Sequence, residues 1–382
     1  MKRRTLLQMA AAWPLAAQPS AQSPAAPKQP PKAEWLAWIG TYTKGTSKGI
    51  YAWRWNPAEH KFTAAGLAAE TSNPSFVAIH PNQQFLYAAN ENDQGGVSAF
   101  RIDPASATLK PLNRVSSRGA APCHLAVDRT GRWVYVANYT SGSVAALPVQ
   151  PDGSLGEATV FAQHTGSSVN PQRQRGPHAH ATVVTPDNRY LLVADLGLDQ
   201  LLAYPIEGDS GGLNVRDVVV TKVAPGSGPR HIVVRGDSKF LYVVNEMGVN
   251  VTRFAYTAQR GSCDDPQTVS AVPDNYTGNK SGAEIAIRGN FLYASVRGYD
   301  AIATFRIDGA TGKLTLAGHT PTQGKTPRFF TIDPSGNYLL AANQDSDSVV
   351  LFKIDGRTGG LAPAGEIWSV GSPVCVAFSS AK

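Results

Sequence analysis

The sequence predicts an all-β fold, a seven-bladed β-propeller, from three observations. Short apolar segments that end in an Ala-Asn-like pair recur about every 50 residues, no segment has a convincing helical period, and the two chain ends hold complementary parts of one repeat. The chain has 382 residues, of which 42% are hydrophobic and 16% charged. It can therefore bury a large core, and this composition excludes a disordered or fibrous protein.

Each repeat contains three recognisable strands. A Pro or another breaker precedes an apolar strand, a polar turn follows, a second strand ends in the Ala-Asn-like pair, and a third strand comes after it. Six copies are visible: Pro74–Asn90, Pro122–Asn138, Pro177–Asp195, Pro229–Asn245, Ala283–Ser295 and Pro327–Asn343. Gly-rich hairpin signals such as Asp308–Lys313 and Asp355–Gly360 separate the outer strands.

A seventh repeat is divided between the two ends of the chain. Pro373–Phe378 repeats the opening strand of the motif, and the strand-like runs Trp35–Ile39 and Gly49–Trp55 supply the rest. Joining them in one sheet closes the ring and removes the open edges that invite aggregation. A set of β-sandwich domains is the alternative, but separate sandwiches do not require one motif at a constant spacing.

The first residues are typical of an export signal. A basic start containing Arg3 and Arg4 precedes a short apolar run, and the Arg pair followed by Thr5–Leu7 indicates a twin-arginine signal, with an ordinary Sec signal as the alternative. We therefore assign residues 1–31 to the signal and a linker, and residues 32–382 to a single seven-bladed propeller domain. The protein is expected in the bacterial periplasm.

Charge and cysteine content exclude several classes of protein. The formal net charge of +7 comes partly from the leader, and no basic stripe with interleaved aromatic residues supports nucleic-acid binding. The cysteines Cys123, Cys263 and Cys375 form neither a CxxC zinc pattern nor a disulfide framework. No segment after the leader is long and apolar enough to span a membrane. Because a closed ring has no open edge, a monomer is expected.

No motif for a cofactor or an activated serine is convincing. Gly45–Gly49 matches the pattern G-x-S-x-G, but it lies between two predicted strands instead of at a strand-to-helix turn, so we interpret it as a hairpin loop. No P-loop or GxGxxG motif is present, and few carboxylates fall at channel positions. We therefore expect neither a nucleotide nor a metal cofactor.

Polar residues at two positions of the repeat are candidates for a functional site. In a propeller, the start of each inner strand and the residues directly after each second strand converge on one mouth of the central channel. The candidates at the inner strands are His124, His178, His180, Arg230, His231, Glu284 and Arg328. The candidates after the second strands are Glu91, Tyr139, Glu246, Arg297 and Gln344.

This set of side chains suits a small anionic substrate. Arginine presents a planar pair of donors that binds carboxylate or phosphate through two hydrogen bonds. Glu246 beside that positive charge should stay ionised and is a candidate base, with His178 as the complementary acid or base. Each residue also has a structural alternative, because an inner-strand histidine can cap a backbone group and Glu246 can pair with Arg230 or Arg297.

Six short motifs occur in order along the predicted blades: Gly176–His180, Gly228–His231, Val244–Glu246, Leu292–Gly298, Thr326–Phe330 and Ala342–Gln344. In this order they resemble the lactonase family of seven-bladed propellers, which contains 6-phosphogluconolactonase and the fungal 3-carboxy-cis,cis-muconate lactonizing enzyme. The resemblance covers residues 35–380 and implies a metal-independent active site at the channel mouth. The catalytic residues that it implies are His178, Arg230, Glu246 and Arg297. Further substrate-binding residues are His124, Arg328 and Gln344.

The resemblance implies hydrolysis of a sugar lactone. Glu246 or His178 would activate water, one arginine would hold the tetrahedral oxyanion, and another would bind the anionic group of the substrate. Because 6-phosphogluconolactone is a cytoplasmic intermediate, an exported relative is expected to act on another sugar or aldonic lactone. Two alternatives stay open: cycloisomerisation of a muconolactone by the same acid/base pair, and a propeller that binds without catalysis.

Overall fold

Seven antiparallel sheets, each forming one blade, are arranged in a ring. The structure is a computed structural model that describes residues 34–207 and 212–381. Strands account for almost all of its regular structure, and the single helical element among the described residues is a 3-10 turn, Gln344–Ser346. The predicted seven-bladed β-propeller is confirmed. The predicted export signal and linker, residues 1–31, lie outside the described residues.

The first three complete blades follow one another along the chain. Blade 1 contains β4 (Pro74–Ile79), β5 (Phe85–Asn90), β6 (Val97–Asp103) and β7 (Thr108–Val115). Blade 2 contains β8 (Pro122–Val127), β9 (Trp133–Asn138), β10 (Ser143–Pro148) and β11 (Val160–Gln163). Blade 3 contains β12 (Ala179–Val184), β13 (Tyr190–Asp195), β14 (Gln200–Glu207), β15 (Gly212–Leu213) and β16 (Val219–Lys222), and its last two strands both pair with β14.

The next three blades have four strands each. Blade 4 contains β17 (Pro229–Val234), β18 (Phe240–Asn245), β19 (Asn250–Thr257) and β20 (Ser262–Ser270). Blade 5 contains β21 (Ser281–Arg288), β22 (Phe291–Arg297), β23 (Ala301–Ile307) and β24 (Leu314–Pro321). Blade 6 contains β25 (Pro327–Ile332), β26 (Tyr338–Asn343), β27 (Ser348–Ile354) and β28 (Leu361–Ser369).

The seventh blade, called the closing blade here, joins both ends of the described chain. Its strands are β29 (Pro373–Ser380), β1 (Trp35–Thr41), β2 (Gly49–Asn56) and β3 (Lys61–Glu70), in that order. β29 pairs antiparallel with β1, and the indole Nε1 of Trp38 donates a 2.8 Å hydrogen bond to Ser379 Oγ. The innermost strands β29, β4, β8, β12, β17, β21 and β25 contact each other in sequence and complete the ring.

The second strand of each blade is apolar on both faces because each blade is covered on both sides. Along β5, Phe85 and Tyr87 pack in an apolar cluster shared with blade 2, whereas Leu86 and Ala88 pack in a cluster shared with the closing blade. Side chains alternate sides along a strand, so a strand between two neighbours needs a continuous apolar run. Seven such clusters of described residues form the core, one between each pair of neighbouring blades.

Candidate active site

A polar cavity of about 320 Å³ opens at the end of the channel where the inner strands begin. This volume is at the lower end of the roughly 300–1,000 Å³ of small-molecule sites. Its lining combines charged, phenolic and buried side chains from most blades: Tyr42, Glu91, Cys123, Tyr139, Arg173, His180, Glu246, Arg297 and Arg328. The cavity therefore collects residues that lie far apart in the sequence into one small volume.

Irregularities at the start of the inner strands decide which side chains face the channel. The strand register shifts between Pro122 and His124, between Ala179 and Ala181, and at the same place in blades 4 and 6. Such a bulge leaves one residue out of the ladder and turns its side chain. The residues inside these shifts are Cys123, His180, Arg230 and Arg328. Three of these four line the cavity, and the fourth, Arg230, contacts the cavity residue Glu246.

Glu246 is held by three arginines. Its Oε1 accepts a 2.7 Å hydrogen bond from Arg173, and its Oε2 lies 2.9 Å from Arg297 Nη2 and 3.2 Å from Arg230 Nε. Burial raises the pKa of this carboxyl group, but Arg297, Arg230 and Arg173 outweigh that effect and lower the pKa to about 2. Glu246 is therefore ionised at neutral pH and uses both oxygens to orient guanidinium groups.

The arginines are oriented in turn by neutral acceptors. Arg297 Nη2 donates to Ser281 Oγ at 2.5 Å and to the Gly282 carbonyl at 2.9 Å. Arg230 Nη1 donates to the Ala283 carbonyl at 2.5 Å. Burial and the neighbouring Arg328 and Arg297 lower the pKa of Arg230 to about 10, so it is still charged at neutral pH.

The repeat pattern does not predict Arg173 as a site residue. This arginine lies in the connection between β11 and β12, outside the repeated motif, and its side chain is 44% exposed. One Nη2 donates both to Glu246 and to the Tyr139 hydroxyl, at 2.7 and 3.0 Å. Gln174 anchors the connection by donating to the Leu196 carbonyl at 2.9 Å. In the sequence, Arg173 is marked by the length of this connection and by the polar run Gln172–Arg175.

The wall formed by the closing blade and blade 1 carries a second carboxylate. Glu91 Oε2 accepts a 2.9 Å hydrogen bond from the Tyr42 hydroxyl and lies 3.8 Å from Arg328 Nη2. The Arg328 guanidinium also lies over the Tyr42 ring, 5.3 Å from its centroid. Burial lowers the pKa of Arg328, but the nearby Tyr42, Glu91 and Glu246 outweigh it and raise that pKa above its usual range.

The two histidines near the start of β12 take different positions. His180 lines the cavity, with Nε2 3.9 Å from Glu246 Oε2. Burial, assisted by Arg230, lowers the pKa of His180 well below its usual range, so its imidazole is neutral. His178 stacks on Tyr139 with ring centroids 4.6 Å apart, and its Nδ1 lies 3.0 Å from the Tyr139 carbonyl oxygen. His178 is thus next to a lining residue but is not part of the lining.

Two predicted substrate-binding residues lie away from this cavity. His124 is buried in the channel. The centroids of its ring and the Phe76 ring lie 3.9 Å apart, and its Nδ1 lies 3.4 Å from Thr182 Oγ1. It lines a different cavity of about 420 Å³ together with strand residues of blades 2 and 3. Gln344 belongs to the 3-10 turn and donates to Asp345 at 2.9 Å. Neither side chain reaches the cavity lining described above.

A buried pair lies behind Arg230. His231 Nε2 is 3.2 Å from Arg230 Nη1, and His231 Nδ1 is 2.9 Å from Glu284 Oε2. Burial raises the pKa of Glu284 to about 8, against the opposing effects of the Ile285 amide and Arg230. The pair supports Arg230 from the side that faces away from the cavity.

The described residues contain no group of three or more His, Cys, Asp or Glu side chains arranged to hold a metal ion. None of their elements is a helix of the length and apolar character that a membrane crossing requires.

Comparison with known proteins identifies the family. A family model described as a lactonase with a seven-bladed β-propeller matches residues 36–378. The chain belongs to this lactonase family. The 6-phosphogluconolactonases of Bacillus subtilis and Formosa agariphila are 38% and 34% identical to it, over 79% and 78% of this chain and 86% of each relative. The resemblance inferred from the six motifs is confirmed.

Solved structures of similar proteins extend the comparison. The periplasmic gluconolactonase PpgL of Pseudomonas aeruginosa matches this lactonase-family protein with a TM-score of 0.87 and 32% identity, over 92% of this chain and all of that one. A protein from Lactobacillus plantarum matches with a TM-score of 0.85 and 35% identity, over 90% of this chain and 99% of that one.

Proposed function

We propose that this lactonase-family protein hydrolyses the ester bond of a sugar-derived lactone, in the manner of 6-phosphogluconolactonase. The observation that carries the proposal is the excess of positive charge at the cavity. Arg173, Arg297 and Arg328 line it and Arg230 lies behind Glu246, whereas Glu91 and Glu246 are the carboxylates of the lining. Such a site favours both an anionic substrate and the oxyanion that forms when water attacks a lactone carbonyl.

The residues implied by the family resemblance, together with Arg173 from the structure, take distinct roles in this proposal. Arg297 is the oxyanion donor, because it reaches the cavity and is oriented by Glu246, and Arg173 at the cavity edge contacts the incoming substrate. Arg328, on the facing wall, is the candidate for binding an anionic or polar group of the substrate. Arg230 supports Glu246 from its buried side, and His178 supports the Tyr139 ring. No step requires a metal or another cofactor.

The substrate follows from location as well as from charge. We propose that residues 1–31 direct export, a proposal supported by the periplasmic gluconolactonase of Pseudomonas aeruginosa among the similar structures. An exported enzyme would meet a sugar or aldonic lactone in preference to cytoplasmic 6-phosphogluconolactone. Replacing Arg3 and Arg4 together by lysine and fractionating the cells tests the twin-arginine signal, since that substitution should leave the protein in the cytoplasm.

The activity itself is tested by proton release in weak buffer. Purified protein is mixed with δ-gluconolactone, its 6-phosphate and a muconolactone, and R297A is measured beside it. Turnover of one lactone that falls roughly 100-fold in R297A supports the proposal. The exposed substitution E157Q is the matched control and should retain activity. A diene product from the muconolactone would identify a cycloisomerase, and a folded protein without turnover of any lactone would favour a binding propeller.

A further inference from the structure

Hydrolysis of a lactone needs a group that takes a proton from water. His178 lies outside the cavity lining, and two titratable groups of the lining, Glu246 and His180, are unsuited to this role. Glu246 already accepts from Arg173 through Oε1 and contacts Arg297 and Arg230 through Oε2. Its pKa of about 2 makes it a very weak base, since burial is outweighed there by the three guanidinium groups. The pKa of His180 lies well below its usual range because of burial and Arg230. General bases work best when their pKa is close to the working pH.

Glu91 is the other carboxylate in the cavity lining, and its surroundings differ. Its side chain is 19% exposed, compared with 8% for Glu246. Oε2 accepts a hydrogen bond from Tyr42, and the nearest guanidinium, that of Arg328, is 3.8 Å away. Within the described residues, Oε1 has no hydrogen-bond donor. One carboxylate oxygen is therefore open to a water molecule in the cavity.

The position of Glu91 is fixed from two directions. Its backbone N–H donates to the Asn73 carbonyl at 2.9 Å, and Asn73 Nδ2 donates to the Glu91 carbonyl at 3.1 Å. Asn73 Oδ1 also accepts hydrogen bonds of 2.9 Å from the backbone N–H and the hydroxyl of Thr43, the residue after Tyr42. One asparagine thus holds together the backbone segments that carry Tyr42 and Glu91. Preorganisation of this kind is what a positioned base requires.

We propose that Glu91 is the general base that activates the hydrolytic water, with Tyr42 as its positioning residue. The inference rests on the proposed lactonase function and assigns its base. Glu91 takes one proton from water while the water oxygen bonds to the lactone carbonyl carbon, and the carbonyl electrons move to oxygen. When the tetrahedral intermediate collapses, the ring C–O bond breaks and protonated Glu91 returns its proton to the leaving alkoxide. The carboxylic acid product then loses its own proton to solvent.

Tyr42 is suited to hold Glu91 without competing for the proton. Burial and the Glu91 carboxylate raise the pKa of its phenol above the usual range, despite the opposing effect of Arg328. The phenol therefore stays protonated and donates to Oε2. This leaves Oε1 as the oxygen that faces water.

The test compares E91Q, E91A, Y42F and the exposed control E157Q on whichever lactone the wild type hydrolyses. We expect kcat to fall roughly 100-fold or more in E91Q and E91A with KM changed much less, and formate to restore part of the activity of E91A by supplying a carboxylate. Y42F should lower kcat more modestly. Circular dichroism and thermal unfolding verify that each variant is folded.

The outcomes separate the base assignment from the proposed function. A folded E91Q that keeps kcat within about threefold of an active wild type overturns the role of Glu91 and leaves lactone hydrolysis intact. A second result would also count against it: a fall of kcat in E91A that formate does not restore, accompanied by a rise of KM of the same fold. A wild type that hydrolyses no lactone instead refutes the proposed function itself.

Discussion

Arg173 donates a 2.7 Å hydrogen bond to Glu246, although 73 positions separate the two residues and they are carried by different parts of the ring. Glu246 directly follows β18 of blade 4, whereas Arg173 comes from the connection before β12 of blade 3. The contact therefore spans the mouth of the channel between neighbouring blades. It fixes a partly exposed guanidinium at the edge of the cavity, where it can meet an incoming anion.

Removing the Arg173 side chain should weaken substrate binding without unfolding the protein. R173A is expected to raise KM by roughly tenfold, because a charge-assisted donor is lost from the cavity while Arg230 and Arg297 still orient Glu246. Steady-state kinetics on the active lactone measure this effect. R175A, an exposed change in the same connection, is the control. Equal KM values for R173A and wild type would show that Arg173 does not contact substrate.

Glu246 should make stability depend on pH in the acid range. Its pKa falls from 4.5 to about 2 on folding, because the arginines outweigh the effect of burial. A lowered pKa stabilises the folded state by about 3 kcal/mol above pH 4.5, and this contribution is lost as the pH falls from 4.5 to 2.

Urea unfolding at pH 6, 4 and 3 checks this pH dependence. The free energy of unfolding should fall more steeply for the wild type than for E246Q over this range, because glutamine has no proton to gain. E157Q should follow the wild type, since it alters an exposed carboxylate. Parallel curves for E246Q and the wild type would contradict the assignment of the low pKa to Glu246.

Repeat spacing was sufficient to predict the ring, its closure, and several residues at the channel mouth. Each blade contributes equivalent positions to one axis, so Glu246, Arg297 and Arg328 could be found from their places in the motif. Spacing could not decide between His178 and His180, because a bulge of one residue at the start of β12 determines which of them faces the cavity.

Repeat spacing predicts Glu91 as a candidate, but it predicts neither Arg173 nor the contact of Tyr42 with Glu91, for a physical reason. Arg173 belongs to a connection that the other blades do not repeat, and its position depends on tertiary contacts of Gln174. Tyr42 reaches Glu91 only because ring closure brings the closing blade beside blade 1. Contacts that arise from insertions and from closure leave no periodic signal in a sequence.

Asp195 should be more important for stability than its position in the motif suggests. Its Oδ1 accepts backbone N–H groups of His178, Gly197 and Leu198 at 2.8 to 3.1 Å, and its Oδ2 lies 2.6 Å from His164 Nδ1. D195A leaves these buried donors without an acceptor and should destabilise the protein by about 3–5 kcal/mol in urea unfolding.

Amide and carboxylate exchanges test whether the charge or the acceptor matters at this position. D195N keeps an oxygen for the backbone donors and should cost only about 1 kcal/mol. Asn343 ends the second strand of blade 6, as Asp195 ends that of blade 3. The reciprocal change N343D removes the 3.1 Å donation from Asn343 Nδ2 to the Thr322 carbonyl and should also destabilise the protein. Similar losses for D195N and D195A would show that His164 needs the full charge of Asp195.

The hydrogen bond between Trp38 and Ser379 should contribute measurably to ring closure. Both residues are fully buried, and the 2.8 Å bond joins the first described strand to the last. W38F and S379A should each lower the free energy of unfolding, and the double variant should lose about 1 kcal/mol less than the sum of the two, since the same bond is removed in each case. Urea unfolding of the four proteins gives this coupling energy. Strict additivity would mean that β29 is held by backbone pairing and apolar contacts alone.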